Sequence, residues 1–339
     1  MTVLIWGAGA MGGSLGAGLI RAGHGVAFVD NVPEHVAAIN ESGLKIVGPI
    51  FQDTVRAKAY LPEEVEGHFD CILLSVKAQH TDVATRALAP HLTDDGYVVS
   101  VQNGLNELVI KDIIGAERTI GCFVNFGADY LEPGVVQYSG RGAVVVGELD
   151  GSRSKRVAAL HRLLLDFEAN AVLTENIWGY LWGKLIYGAQ LFATALTNDG
   201  IADCYANPAF RPVLTALGQE VGAVARANGV ETQAFNGFDP HAFAPGASQE
   251  LIDQSLDDMV AFNRRSAKSH SGIWRDLAIR KRRTEVKPQL GPIVNTGLKI
   301  GIPTPMTARL IDMIIEMEDG KRGFSAENMA ELANAAKAA

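Results

Sequence analysis

Three polar side chains in apolar surroundings are the first candidates for chemistry. Lys77 follows one buried strand pattern, and Asn103 follows the next one along the chain. Ligands of open α/β sheets bind at the carboxyl ends of the strands, so both residues stand where a ligand would lie. Lys184 stands inside an apolar helical pattern. Burial makes an ammonium group give up its proton more readily, which suits a proton donor.

Each of these residues also has a purely structural alternative. Lys77 could begin a helix, Asn103 could form a turn with Gly104, and Lys184 could extend its ammonium group to water. A chemical role therefore depends on elements that bring a ligand to these positions.

A glycine-rich turn between the first strand pattern and the first helix pattern provides such an element. The turn reads G-x-G-x-x-G: Gly7 permits a tight bend, Gly9 lets the backbone approach a pyrophosphate, and Gly12 lets helix and strand pack closely. The first N–H groups of the helix, at Ala10 and Met11, complete a phosphate site. We expect a dinucleotide there; a glycine turn of another α/β fold is the alternative. Later glycines of the helix, at positions 16 and 18, extend the closely packed face.

The acid that ends the second strand pattern indicates which dinucleotide binds. Asp30 stands 18 positions after Gly12, where an acid accepts hydrogen bonds from the adenosine ribose and repels a 2′-phosphate. The residues at positions 31–34 include no arginine or lysine to neutralise that phosphate. We expect NAD(H) to be favoured over NADP(H). The alternative for Asp30 is an ordinary helix-capping role.

The pattern along the chain predicts an α/β fold with two domains. A doubly wound Rossmann sheet, residues 1–175, is expected to precede an all-helical domain, residues 176–339, because strand patterns stop after position 173. Segments 134–138 and 143–147 look like a hairpin added to the sheet edge. Helix patterns of the second domain cover 181–196, 208–228, 249–266, 285–299, 307–316 and 326–337. The long loop at 231–248 is either a lid or an insertion.

Composition excludes several classes of protein. The net charge of −8 argues against a nucleic-acid partner, and no apolar run is long enough to span a membrane. The N-terminus reads as a strand rather than a signal peptide. Cys71, Cys122 and Cys204 are odd in number and lack metal-ligand spacing. They indicate reduced thiols, a cytoplasmic location and no metal site.

Motifs along nearly the whole chain resemble the ketopantoate reductase family (2-dehydropantoate 2-reductases), whose helical domain is like that of 6-phosphogluconate dehydrogenase. The matching stretches are GAGAMG, SVKAQ, VQNGLNE, EPGVVQYSGRGAVVVGE, WGKL followed by TAL, EVGAVARANGV, RRTEV and GIPTP. The resemblance implies that Lys184 donates a proton and that Glu285 pairs with it and contacts the substrate. It also implies that Lys77 and Asn103 lie beside the nicotinamide and the substrate. The alternative for Glu285 is an ion pair with the basic run at 264–287, most of which we expect to form a solvated helix face.

The chain departs from the family pattern near the lysine. Two family asparagines that bind substrate correspond here to Gly188 and Phe192, which would enlarge the site and make it apolar. Gln190 could compensate, although an ideal helix points it elsewhere. The family's substrate-binding serine corresponds best to Ser271.

These features predict an NAD(P)H-dependent reduction of a 2-oxo acid to a 2-hydroxy acid, of the 2-dehydropantoate 2-reductase type. An NAD-dependent D-2-hydroxyacid dehydrogenase of the mandelate type is the first alternative, because both Asp30 and Phe192 favour it. A non-catalytic NAD(H) sensor and another two-domain dehydrogenase are weaker alternatives. The expected partner is the small 2-oxo acid, and the resemblance leaves a monomer and a homodimer open.

Overall fold

Strands and helices alternate through the first half of the chain. The computed structural model describes residues 2–265 and 269–336, and the chain divides into two units, Met1–Ile177 and Trp178–Ala339. The strands of the first unit are β1 (Thr2–Trp6), β2 (Gly25–Val29), β3 (Leu44–Val47), β4 (Asp53–Val55), β5 (Lys58–Tyr60), β6 (Phe69–Leu74), β7 (Leu92–Ser100), β8 (Thr119–Val124), β9 (Gly127–Glu132), β10 (Val135–Gly140), β11 (Val144–Glu148) and β12 (Val172–Leu173). The helices are α1 (Ala10–Arg21), α2 (Pro33–Ser42), α3 (Thr81–Leu88), α4 (Asn106–Ile114) and α5 (Lys155–Phe167).

The larger sheet has eight strands in the order β12-β11-β8-β7-β6-β1-β2-β5. Strands from β8 to β5 run parallel, and β11 joins β8 in the antiparallel direction. Successive residues of β1 face opposite sides: Val3 and Ile5 belong to one apolar cluster, and the intervening Leu4 belongs to the other. The expected α/β fold with an N-terminal parallel sheet is confirmed. Its topology places the loops after β1, β6 and β7 at one edge of the sheet.

Helix α1 lies against this sheet without room for side chains at two of its glycines. A methyl group at Gly16 would lie 2.4 Å from the Phe28 ring, and one at Gly18 would lie 2.5 Å from the Phe167 ring. These positions extend the closely packed face of the helix, as expected.

A second sheet, which the sequence analysis did not anticipate, has the order β4-β3-β10-β9. The predicted hairpin is therefore wrong, because β10 pairs with β9 and β3 whereas β11 pairs with β8. The turn that makes a hairpin is at Pro133-Gly134, one strand earlier. Gly142 lies in the connection between the two sheets. A methyl group on Gly142 would lie 2.0 Å from the carbonyl oxygen of Asn125, so the two backbones approach closely. Strands β3, β4 and β5 were also missed, because each has only three or four residues.

In the described part of the second unit, helices account for the regular structure, apart from one bridge between Phe235 and Phe238. They are α6 (Ile177–Thr194), α7 (Ile201–Ala206), α8 (Arg211–Ala227), α9 (Gln249–Arg264), α10 (Gly272–Ala278), α11 (Val286–Ile300), α12 (Pro305–Glu318) and α13 (Glu327–Ala335). The six predicted helices are present, and α7 and α10 are additional. The predicted ends at Ser266 and Lys337 lie outside the described residues.

Two of the family-like stretches meet at the start of α12. The Glu220 carboxylate, on α8, accepts hydrogen bonds from the backbone N–H groups of Met306 at 2.9 Å and Thr307 at 2.7 Å. The Thr307 hydroxyl donates to the same carboxylate. Glu220 therefore caps α12. The EVGAVARANGV stretch provides this glutamate, and the GIPTP stretch leads directly into the helix that it caps.

Candidate active site

The glycine turn after β1 has the geometry of a phosphate-binding loop. Gly7 has φ +105°, and a methyl group there would lie 2.8 Å from the backbone of Ser75 and Val76. A methyl group at Gly12 would lie 2.0 Å from the Gly7 carbonyl oxygen. At Gly9, in contrast, a methyl group would meet no atom of the described residues within 4 Å. The loop is thus tightly packed below and open at Gly9, where a pyrophosphate would approach.

The start of α1 follows directly from this open position. Gly9 precedes the helix, and within the described chain no side chain caps it and no acid stands in its first turn. The first backbone N–H groups of a helix have no partner inside the helix, so those at Ala10 and Met11 are suited to an anion. The residues present fit a dinucleotide.

Asp30 holds the glycine loop through its side chain. Its Oδ2 accepts a hydrogen bond from the Ala8 N–H at 2.9 Å, and its Oδ1 accepts one from the Val32 N–H at 3.1 Å. The second contact is the local turn that the capping alternative implies, whereas the first links two loops 22 positions apart. A carboxylate oxygen accepts more than one hydrogen bond, so both contacts are compatible with ribose binding.

The surroundings of Asp30 are acidic. The pKa of Tyr130, on β9, is raised by burial and then by the negative charges of Asp30, Glu34 and Glu132. The negative charges of three carboxylates therefore act on this one phenol. A phosphate added to the ribose here would meet like charges.

The loops after β6 and β7 are tied together by side-chain amides. Gln102 donates through Nε2 to the Val76 carbonyl and to the Thr81 hydroxyl, both at 2.8 Å. Thr81 donates to Asn106 Oδ1 at 2.9 Å, and Asn106 Nδ2 donates to the Asn103 carbonyl at 2.7 Å. These hydrogen bonds fix the backbone of both loops. The Asn103 side chain itself is exposed.

Lys77 and Asn103 are therefore in adjacent loops at one sheet edge. Lys77 is half-buried and follows Val76, which contacts both the Gln102 side chain and the glycine loop. Asn103 precedes Gly104, whose φ of +102° agrees with the turn that was the structural alternative for Asn103. The structure brings together the loops that carry the glycines, Lys77 and Asn103.

A buried acid that the sequence analysis missed lies beneath these loops. Glu107, on the first turn of α4, is 0% exposed, and neither of its carboxyl oxygens has a hydrogen-bond partner among the described residues. Burial raises the pKa of Glu107 to about 8. Glu107 is therefore largely protonated at neutral pH. Its position in the VQNGLNE stretch gave no sign of burial.

Lys184 lies on α6 in the second unit and is half-buried. Gly188 is one turn further along the same face, and a methyl group there would meet no described atom within 4 Å. Another side of the helix is covered by the 231–248 loop: a methyl group at Gly183 would lie 2.6 Å from the Gln233 carbonyl oxygen, and Gln233 N–H donates to the Gly179 carbonyl. Lys184 and Gly188 thus share the face of α6 that has open space.

Gln190 does not compensate for the missing asparagines. It is 0% exposed, its Nε2 donates to the Leu214 carbonyl at 3.0 Å, and its Oε1 accepts from the Tyr205 hydroxyl at 2.8 Å. These contacts join α6 to α8 and α7. Phe192 is 1% exposed and belongs to the interior of the unit. Of the two departures from the family pattern, Gly188 is the one beside open space.

The 231–248 loop packs on its own aromatic side chains. Phe235, Phe238 and Phe243 are buried, and the last two stack with ring centroids 5.6 Å apart. Ser248 caps α9, which ends the loop. This packing favours an insertion over a lid.

Ser271 and Glu285 stand at the starts of two helices. Ser271 is buried and caps α10, its Oγ accepting from the Trp274 N–H at 3.1 Å. Glu285 is half-buried directly before α11. Thr284 fixes its backbone, because the Thr284 N–H and hydroxyl both donate to Glu318 at 2.7 Å.

The basic run at 264–287 is not the solvated helix face that we expected. Arg280 and Arg282 pair with the buried Asp276, at 3.1 and 2.9 Å. Arg283 pairs with Glu318 and Asp319. The segment between α10 and α11 that carries these arginines is irregular, and internal acids neutralise much of it. Lys268, also in the run, lies outside the described residues.

Within residues 2–265 and 269–336, no group of three or more histidine, cysteine or acidic side chains could hold a metal ion. No helix in that part of the chain is long and apolar enough to cross a membrane.

Comparison with known proteins gives consistent matches over both units. Residues 3–151 match the family model "Ketopantoate reductase PanE/ApbA", and residues 176–318 match "Ketopantoate reductase PanE/ApbA C terminal". The 2-dehydropantoate 2-reductase of Pyrococcus abyssi is 29% identical over 95% of this chain and 100% of its own length; that of Halobacterium salinarum is 26% identical over 94% and 100%.

Solved structures agree with these matches. A PanE/ApbA family ketopantoate reductase from Ralstonia eutropha has a TM-score of 0.79 at 28% identity, covering 95% of this chain and 99% of its own. A D-mandelate dehydrogenase solved with NADH and anilino(oxo)acetate has a TM-score of 0.81 at 23% identity, covering 95% and 99%. At that identity the second likeness shows the fold alone.

Proposed function

Because the chain belongs to the ketopantoate reductase family of nicotinamide-dependent oxidoreductases, we propose that it reduces a 2-oxo acid to the 2-hydroxy acid, with Lys184 as proton donor. The observation that carries this proposal is the half-buried Lys184 on the open face of α6. Reduction builds negative charge on the carbonyl oxygen, and a positioned acid lowers the barrier by delivering a proton to it.

The first unit would hold the cofactor. Gly7, Gly9 and Gly12 would admit the pyrophosphate, the N–H groups at Ala10 and Met11 would bind its oxygens, and Asp30 would bind the adenosine ribose. Lys77 and Asn103 would lie at the nicotinamide end and contact the substrate. When bound, the reduced cofactor supplies the hydride.

We propose NADH rather than NADPH as that cofactor. The support is the Asp30 carboxylate, which lies against the glycine loop and accepts a hydrogen bond from the Ala8 N–H at 2.9 Å. Positions 31–34 contain no cation to bind a 2′-phosphate. A like charge in this place disfavours NADPH.

In the second unit, we propose that Glu285 pairs with Lys184 and orients it, and that Ser271 contacts the substrate. The Ser271 hydroxyl already accepts the Trp274 N–H, so it would act toward the substrate as a donor. The half-buried position of Glu285, with its backbone fixed through Thr284, suits an orienting role.

The substrate has two candidates. The curated relatives are named for 2-dehydropantoate, which the family match favours. The second candidate is a 2-oxo acid with a larger apolar substituent, as in mandelate-type dehydrogenases. The open space at Gly188 favours it, because a family asparagine would donate hydrogen bonds from that position.

Oxidation of NADH and NADPH by the purified protein, measured against a panel of 2-oxo acids, tests this proposal. Ketopantoate and phenylglyoxylate are both included. Turnover of ketopantoate supports the first substrate, and turnover of the aromatic acid alone supports the second. Cofactor binding with no turnover of any 2-oxo acid contradicts the proposed reaction and favours an NAD(H) sensor.

Replacing Lys184 with alanine tests the proton donor. We expect kcat to fall about a hundredfold or more, the usual effect of losing a general acid, with an unchanged Kd for NADH. Lys299→Ala, at an exposed position on α11, is the matched control and is expected to retain full activity. Unaltered turnover in Lys184→Ala would remove this residue from the mechanism.

A cytoplasmic location is also proposed, since Cys71, Cys122 and Cys204 are all buried thiols in the structure. A homodimer is the oligomeric state that we would test for, by light scattering of the purified protein.

A further inference from the structure

His35, on α2, connects two segments that are distant in the sequence. Its side chain is 0% exposed. Its Nε2 is hydrogen-bonded to the Ala8 carbonyl at 2.9 Å, and its Nδ1 accepts the Gly134 N–H at 2.9 Å. Nothing in the sequence pattern singles out this histidine, because its second partner is 99 positions away.

The two contacts define the state of the ring. A backbone N–H can only donate, so Nδ1 carries no hydrogen in this contact. The hydrogen of the neutral imidazole is therefore on Nε2, which donates to the Ala8 carbonyl oxygen. Both ring nitrogens are engaged, and the side chain is a fixed bridge between backbone groups.

Ala8 is the middle residue of Gly7-Ala8-Gly9, and it is held from two sides. Its N–H donates to Asp30 Oδ2, and its carbonyl accepts from His35. Ala8 itself is buried, whereas the next residue, Gly9, faces open space. The contacts at Ala8 thus set the backbone at the point where a pyrophosphate would approach.

The other end of the bridge is also firmly packed. Gly134 forms the turn between β9 and β10, its carbonyl accepts the Lys45 N–H at 2.8 Å, and a methyl group on it would lie 2.9 Å from the Ala38 Cβ. The Tyr130 ring meets the His35 ring edge-on, with centroids 5.1 Å apart. The second sheet therefore provides a rigid support for the histidine.

We propose that His35 is a positioning residue for cofactor binding: it fixes the glycine loop in its binding conformation by tying Ala8 to the Gly134 turn of the second sheet. Holding the loop before binding removes the entropy cost of ordering it when the dinucleotide binds. This inference rests on the cofactor site proposed above. It assigns the second sheet a function beyond stability, as the support of that site.

Two amide substitutions separate this role from a general one in folding. In His35→Gln the longer side chain can place its Nε2 near the position of the imidazole Nε2 and donate to Ala8. In His35→Asn the side chain can place Oδ1 near the position of Nδ1 and accept from Gly134, but it is too short to reach Ala8. Each variant leaves one backbone group without its partner, so their effects on stability should be similar.

The readouts are the Kd for NADH, kcat at saturating NADH and the midpoint of thermal unfolding. We expect His35→Asn to raise the Kd about tenfold, with kcat within about twofold of wild type, and His35→Gln to bind nearly as wild type does. Ile39→Ala is the matched control, since Ile39 is buried one turn further along α2 and belongs to the apolar core. It should lower the midpoint and leave the Kd unchanged.

Equal Kd values in the two amide variants, or a Kd that follows the unfolding midpoint through Ile39→Ala, would overturn the proposal. Loss of folding in either His35 variant would overturn it too, because the histidine would then serve the whole fold. Gly9→Val distinguishes a wrong role for His35 from a wrong cofactor site, because the valine side chain would occupy the open space at Gly9 where the pyrophosphate is proposed to bind. If Gly9→Val abolishes NADH binding and His35→Asn does not change it, only the role of His35 is wrong. If the wild-type protein binds neither NADH nor NADPH, the proposed function itself fails.

Discussion

Replacing Glu107 with glutamine removes a carboxyl group that burial holds protonated. The side chain is 0% exposed, and burial raises its pKa from 4.5 to about 8. An acid whose pKa is higher in the folded state keeps its proton while the unfolded chain has already lost it. Its contribution to stability is therefore complete below pH 4.5 and is lost as the pH rises toward 8.

The loss of stability depends on how far the pKa of Glu107 in the folded state lies above its pKa in the unfolded state. Between the two pKa values the folded state binds one more proton than the unfolded state, so the free energy of unfolding falls by about 1.4 kcal/mol per pH unit. From pH 5 to pH 7 the loss is about 3 kcal/mol. Glutamine has nearly the same shape and does not titrate. The free energy of unfolding of Glu107→Gln should therefore not include this decrease with pH.

The assay is urea unfolding of wild type and Glu107→Gln at several pH values between 5 and 8. Taking the difference between the two proteins cancels the titration of all other groups. We expect the difference to grow in favour of the variant as the pH rises. Glu63→Gln, at an exposed position, is the control and should show a difference that does not change with pH. A difference that is equally flat for Glu107→Gln would refute the protonated state of this acid.

Two other substitutions test the proposed specificity. Asp30→Ala should reduce the ratio of NADH to NADPH affinity, because it removes the carboxylate that we propose binds the ribose. Asp53→Ala, at an exposed aspartate of the same unit, should not change this ratio. A wild-type enzyme that already prefers NADPH would contradict the reasoning. Gly188→Asn should increase activity toward ketopantoate by restoring an amide on the open face of α6. If kcat/KM for ketopantoate does not rise, the pocket differs from the family pattern at other positions.

The sequence was sufficient for features that depend on neighbouring residues. The glycine loop and its flanking strand and helix were predicted, because tight turns and close helix packing require glycine at fixed spacings. The turn at Asn103-Gly104 was an alternative that the sequence left open. The six longer helices of the second unit were predicted from their apolar periodicity, whereas the short α7 and α10 were not. The roles of Glu285 and Ser271 came from the family resemblance, and that of Lys184 from the resemblance and from its place in an apolar helix; all three stay predictions.

The missed features depend on residues that are distant in the sequence. The second sheet pairs β3 with β10, and such short strands have no pattern that identifies their partner. From the sequence, Gln190 was a candidate for a substrate-binding amide. In the structure its side chain is hydrogen-bonded to Leu214 and Tyr205, which are distant in the sequence. His35 and Glu107 are polar residues whose burial is decided by tertiary packing alone.

The bridge from His35 to Gly134 also has a consequence for the order in which the protein folds. The glycine loop ends at Gly12, yet its support arrives only with the turn at Gly134, 99 positions after the histidine. Contacts of such long range form late and slow the folding of a domain. The nascent chain would therefore acquire a competent cofactor loop only when the second sheet has been synthesised and has closed. An N-terminal fragment ending before β10 would carry the complete glycine motif but would bind the dinucleotide poorly.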